Sequence, residues 1–337
     1  MGQFGVVVGQ LVGFLIMLMV GYGCVRLKFY GTVALNGMCS LLLNVLIPVL
    51  VFSNAVDGTD RADLAANWGV MLLTAVMYAL LALAFFVLAW ALRLRAERGR
   101  VFQAALIFGN AGFLGIPLIM ALFPDRGAIY VALMSIVDQA ILWTYGVYLC
   151  EPIAKPSPGA GGEAGNGSKT AVPRPSFASR AAGLLRRFVN PAFIGVMIAL
   201  ALILAGVRVP GLILKPLHTI GGMATPMSLI YLGGLFATTR WWSVLRRYEL
   251  YVGLAAKMLL FPIGLYALLA WTPLAGLLPA THDMIVMIAL IAGLPTMTTI
   301  AMFTGRRSNM PEYATGFVLV STLFSLVSLA VVSSVIL

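Results

Sequence analysis

Long apolar stretches separated by short polar ones run the length of the chain. Ten of them come near the roughly 20 residues that cross a bilayer as helix. They are residues 4–25, 33–56, 68–92, 101–123, 128–149, 191–207, 212–238, 250–271, 284–304 and 313–336. The stretch 191–207 is the shortest, and only a tight turn holding Arg26, Lys28 and Tyr30 parts the first two. The pattern predicts an all-α polytopic membrane protein with ten transmembrane helices. The opening stretch lacks the basic segment that precedes a removable secretion signal, so it is expected to be a permanent span.

Two of these stretches carry the same interruption. Gly115-Ile116-Pro117 lies in the fourth and Gly293-Leu294-Pro295 in the ninth. Proline lacks a backbone donor and clashes with the preceding turn, and a glycine two residues earlier eases local unwinding. Pro48 in the second stretch and Pro226 in the seventh stand 178 residues apart, the same separation as Gly115 from Gly293 and Pro117 from Pro295. One offset therefore relates the second and fourth spans to the seventh and ninth. Five spans to a half is an odd number, so the second half has to enter from the opposite side. The expectation is two inverted five-helix repeats, residues 1–150 and 189–337, with broken crossing helices 4 and 9 brought face to face.

Composition narrows the class further. Hydrophobic residues make up 61% and charged residues 10%, against about 45–50% and about 25% in soluble domains; mean hydropathy is +1.00. The net charge of +11 falls in the loops, which speaks against a nucleic-acid partner. Loops after odd-numbered spans hold 17 basic residues, from Arg26 to Arg307, while loops after even-numbered spans hold Arg61, Arg126, Arg208 and Lys215 alone. That bias places the odd loops in the cytoplasm and both termini outside a plasma (inner) membrane. Residues 151–188, rich in Pro, Gly and Ser, read as a flexible cytoplasmic linker. Trp68, Trp90, Trp241, Trp242 and Trp271 stand at span ends, as an interfacial belt does. Cys24, Cys39 and Cys150 show no metal spacing and read as small buried hydrophobes, and no metal or other cofactor is expected.

A helix interrupted in the membrane exposes backbone donors and acceptors, tolerated only where they line a cavity or meet protein. Pro117 and Pro295 suit the first turn of a new half-helix, where the missing N–H would go unused. Two half-helix N-termini aimed at one central space favour an anion. The half-helices ending there offer carbonyls, which leaves a cation open. Asn110, Gly115, Pro117, Gly293, Pro295, Thr296 and Thr298 are therefore candidate substrate-binding positions, with Thr299 beside them and Asn44 one turn before Pro48. An amide and hydroxyls hold a carboxylate without a buried charge. The competing reading is that Asn110 and the threonines only satisfy loosened backbone, and that Asn44 and Ser228 bond a neighbouring helix. Asp138, beside Gln139, and Lys257 lie deep in spans five and eight. Such groups usually face the bundle interior and find partners, so an Asp138–Lys257 pair able to couple transport to a proton is expected, against a Lys257 that snorkels to the interface. His218 and His282 read as interfacial.

Several of these stretches resemble the auxin efflux carrier family, the family of the plant PIN proteins and many bacterial carriers. They are Leu43-Asn44-Val45-Leu46-Ile47-Pro48, Phe108-Gly109-Asn110-Ala111-Gly112-Phe113-Leu114-Gly115-Ile116-Pro117-Leu118, Pro226-Met227-Ser228 and Gly293-Leu294-Pro295. The resemblance implies a fold related to bacterial Na⁺/H⁺ antiporters and bile-acid symporters. It implies a scaffold of spans one, two, six and seven, often a homodimer interface, and a mobile unit of the other six. It implies organic-anion substrates, either malate- or malonate-type acids or auxin-like acids; the short linker points to the bacterial branch. The combined expectation is a secondary transporter of a small organic anion, working by alternating access. The alternatives are an Na⁺- or H⁺-coupled antiporter and a membrane sensor or channel. No metal-ligand spacing, nucleophile elbow or phosphate loop suggests an enzyme.

Overall fold

The computed structural model describes residues 3–57, 61–115, 118–119, 122–123, 126–153, 191–271 and 279–336. Pro117 and nearly all of the linker lie outside the described residues. Helices α1 (Gln3–Arg26), α2 (Thr32–Leu41), α3 (Ile47–Val56), α4 (Arg61–Ala91), α5 (Ala96–Ile107), α6 (Gly127–Ile141) and α7 (Val147–Cys150) precede the linker. After it come α8 (Pro191–Ala205), α9 (Gly211–Gly222), α10 (Ala224–Thr238), α11 (Tyr248–Ala255), α12 (Phe261–Trp271), α13 (His282–Ala292), α14 (Thr298–Arg306) and α15 (Pro311–Ile336).

Among the described residues five helical stretches are long and apolar enough to cross a membrane: Thr32–Val56, Ala65–Ala91, Ile129–Cys150, Gly211–Thr238 and Tyr248–Trp271. A sixth is reached if the bent pair within α15 is one span. His282–Ala292 is apolar but shorter, because α13 stops at the Gly293 break.

Several spans are joined pieces, and in two of them proline explains how. Wide π turns at Leu42–Leu46 and Ala256–Leu260 lead into α3 and α12. Pro48 and Pro262 would each drive their ring into the carbonyl four residues back, Asn44 or Met258. Both carbonyls sit inside the wide turns, which relieve the clash and keep the helix running. Ahead of Pro226 the span instead passes through a single turn residue, Met223 (φ −67, ψ −18), between α9 and α10.

Burial follows the membrane pattern. Leu15, Ile16 and Met19 on α1, Leu83 and Phe86 on α4, and Leu260 and Leu268 of the α11–α12 span are exposed, whereas Thr74, Asp138, Glu249, Lys257 and Ser321 are buried. Apolar side chains turned outward and polar ones turned inward suit a lipid surround. Helix pairing falls into two groups. α1 lies along α10, and α3 packs on α8 and α9; elsewhere α4 packs on α5, α6 and α13, α12 on α13, and α14 on α15. The α1–α10 approach is close: a Cβ on Gly21 would stand 2.0 Å from the Ile230 carbonyl, and one on Gly233 2.0 Å from that of Leu18.

Candidate functional site

The two interrupted helices meet. α5 ends at Ile107, and Phe108 turns extended (φ −92, ψ 110). α13 ends at Ala292, Gly293 closes it with a turn (φ −85, ψ −1), and the chain then runs non-helical to Met297 (φ −70, ψ 133) before α14 begins. The two extended pieces pair antiparallel about Gly109 and Thr296. The Asn110 N–H donates to the Pro295 carbonyl at 2.7 Å, and the Met297 N–H to the Phe108 carbonyl at 3.0 Å. Pro295 thus sits in the extended piece, not in the first turn of the new half-helix. A proline has no donor to give, but its carbonyl is free to accept, and here it receives Asn110.

The carbonyls left over at the end of α5 find protein donors. Thr296 Oγ1 donates to the Ala105 carbonyl at 2.8 Å, and Lys257 Nζ to the Ile107 carbonyl at 3.3 Å. The Thr296 N–H reaches Ser321 Oγ on α15 at 3.0 Å. Each buried bond removes a desolvation cost of about 1–3 kcal/mol for the group it satisfies. Thr296 and Lys257 therefore act on backbone: the ammonium lies at the negative end of the α5 dipole and does not snorkel to an interface.

Asp138 is held differently from the expected pair. Tyr78 Oη donates to its Oδ1, and Gln139 Nε2 donates to its Oδ2 at 2.9 Å. Trp143 Nε1 donates in turn to Gln139 Oε1 at 3.1 Å. Asp138 and Lys257 hydrogen-bond separate partners and do not touch, but they lie near enough to act on each other through charge. The Tyr78 ring lies 5.6 Å from Phe108, so the Asp138 cluster abuts the break.

Asn110 and Thr298 stand apart from the other candidates. Asn110 is 3% exposed and Thr298 1%. Asn110 Oδ1 and Thr298 Oγ1 are buried without a hydrogen-bond partner. Both line one cavity of about 90 Å³ between α1, α10 and α15, with Phe14, Leu18, Leu229, Leu232, Val318 and Thr322 among its walls. Thr298 opens α14, so the positive end of that helix adjoins the cavity. Such a volume holds several waters, and unpartnered buried polar atoms beside it are uncommon in folded proteins.

The remaining candidates lie elsewhere. Gly115 packs on Leu294, and Gly293 on Pro262. Asn44 is exposed, donating to Ser40 Oγ and accepting from Arg306 Nη1 at 3.3 Å. Ser228 Oγ donates to the Thr225 carbonyl at 2.8 Å. Thr299 is 5% exposed. His218 lies 3.0 Å from Asp57, and His282 edges onto Tyr266.

Sequence reasoning missed Tyr78, Thr322 and Glu249. Fully buried Glu249 accepts from Arg98 Nε at 2.9 Å and from Tyr313 Oη at 3.3 Å. An acid in the first turn of a span that follows a basic loop was the available signal. Nothing in an isolated Tyr or Thr within an apolar span marks it out.

Outward apolar faces and two interrupted helices that pair with each other at Gly109 and Thr296 describe a helical membrane protein. The chain belongs to the membrane transport protein family, that of the auxin efflux carriers, whose model matches residues 6–333. Comparison with curated proteins gives no match.

Proposed function

We propose that the protein is a secondary transporter of a small organic anion, binding it in the cavity at the crossing and moving it by alternating access. The observation that carries this reading is a pair of residues, Asn110 and Thr298, that line one cavity at the start of α14 and whose Oδ1 and Oγ1 atoms are buried without a partner. A side-chain amide offers both a carbonyl and an NH₂, a hydroxyl donates and accepts, and a helix N-terminus favours negative charge. No cationic side chain lines the cavity among the described residues, and most of its walls are apolar. That lining suits one carboxylate on an apolar body better than a malonate-type dianion, whose second charge would lack a counter-charge.

In this reading the chain has ten spans in two inverted halves, supported by the shared 178-residue offset of Pro48, Gly115 and Pro117 with Pro226, Gly293 and Pro295. The group of α1, α3 and α8–α10 is the scaffold and dimer surface, and the group bearing both breaks moves against it. The termini face outward from the plasma membrane. Proteoliposome uptake of radiolabelled mono- and dicarboxylates tests the reading. Saturable monocarboxylate uptake is expected, falling at least tenfold in Asn110→Ala and Thr298→Val. Unchanged uptake in both variants would remove the cavity as the site. A second reading, coupling to protons, draws on Asp138, buried and held by two neutral donors beside the break. It requires uptake to stop when the pH gradient collapses and in Asp138→Asn.

A further inference from the structure

The turn between α10 and α11 carries a second concave site. Residues Trp241–Arg246 form a short 3₁₀ turn against α15. Arg240, Trp242, Ser243, Arg246, Arg247 and Glu312 line an open pocket of about 540 Å³ there. The turn is held by Val244, which is fully buried, by Ser243 N–H to the Arg240 carbonyl at 3.1 Å, and by Arg247 N–H to the Val244 carbonyl at 2.9 Å. Tyr251 Oη donates to the Leu245 carbonyl at 2.9 Å. Three exposed guanidiniums therefore stand around a fixed hollow, and no ion pair engages them among the described residues. Glu312, the one acid in the pocket, leaves it with a surplus of positive charge.

The surroundings are those of a membrane surface, not of open water. Trp242, Leu245, Tyr248, Tyr251 and Val252 are between 40% and 57% exposed around the arginines. A solvated basic face has no use for that apolar rim, whereas the headgroup layer accommodates both aromatic rings and charge. Planar guanidiniums match phosphate oxygens in bidentate fashion. We propose that this pocket binds the phosphate of an anionic phospholipid, with the acyl chains lying over Leu245, Tyr251 and Val252. The site is separate from the cavity at Asn110, and its occupancy is measured without any transport assay.

The test uses the full chain purified in detergent, with native mass spectrometry and thermal unfolding as readouts. The added probes are dioleoyl phosphatidylglycerol, dioleoyl phosphatidylcholine and glycerol 3-phosphate. The wild-type protein is expected to retain phosphatidylglycerol and to unfold at a higher temperature with it than with phosphatidylcholine. Removing positive charge weakens such binding about fivefold per arginine. Arg240→Gln/Arg246→Gln/Arg247→Gln should therefore lose retention while unfolding in phosphatidylcholine as the wild type does. Glu312→Gln should bind more tightly, and the opposite signs of Arg246→Gln and Glu312→Gln carry the test should the triple variant misfold. Equal retention in the triple variant overturns the proposal. So does an equal loss in Arg93→Gln/Arg95→Gln, which would mean diffuse attraction. Equal stabilisation by glycerol 3-phosphate would make it a soluble-anion site and overturns it as well.

Discussion

Single side chains divide here into those that repair backbone and those that are left over. Thr296, Ser321 and Lys257 complete the hydrogen bonding of the interrupted helices. Asn110 and Thr298 complete nothing inside the protein. Tyr78 serves another side chain, supplying one of the two donors that hold buried Asp138. Tyr78→Phe keeps the ring against Phe108 and removes only that donor. Hydrogen bonds to charged groups contribute about 1.5–3 kcal/mol, so this variant should unfold at a clearly lower temperature in detergent. An unchanged melting temperature would mean that Asp138 does not depend on Tyr78. Asn110→Ala, by contrast, gives up no internal bond and should melt as the wild type does even while its uptake falls.

At the scale of helices, close packing and proline placement set the architecture. Gly21→Ala or Gly233→Ala would wedge α1 away from α10, because each added Cβ lands 2.0 Å from a backbone carbonyl. Overpacking of this kind costs about 1–3 kcal/mol or more, measurable as a lowered melting temperature or lost expression. Gly13→Ala and Gly23→Ala, on the same helix with nothing within 4 Å, should be silent or slightly stabilising. The run pattern was enough to mark the chain as all-helical and to place the five spanning helices found among the described residues, since apolar length alone signals a span, and Gly-x-Pro was enough to locate the break in the second half. The extended piece of the first half, Phe108–Asn110, begins seven residues before Gly115, and no local signal marks that. It is fixed by pairing with residues nearly 190 positions away, a tertiary effect. Asp138 and Lys257 feel each other's charge without direct contact, for a related reason. Charge in a membrane seeks any good partner, and here a tyrosine, a glutamine and a loose carbonyl were nearer than the opposite charge.

Across the whole molecule, the end of α14 is packed against α2 and α10. Cys39 Sγ lies 3.9 Å from the Met302 carbonyl, a Cβ on Gly305 would meet Tyr231 Oη at 3.1 Å, and Arg306 reaches Asn44 at 3.3 Å. If the group bearing the breaks shifts against the other, this seam has to open. In a Cys24→Ser/Cys150→Ser background, Cys39 should be slow to react with a membrane-permeant maleimide and should speed up when a substrate gradient drives turnover. A rate unaffected by substrate would argue against motion at this seam. The crossing itself has a further consequence. Asn110 and Met297 each give their amide hydrogen to the opposite chain segment, so neither bond can open without disturbing the other. In deuterium exchange these two amides should form one slow-exchanging island within irregular backbone and lose protection together, at a common rate.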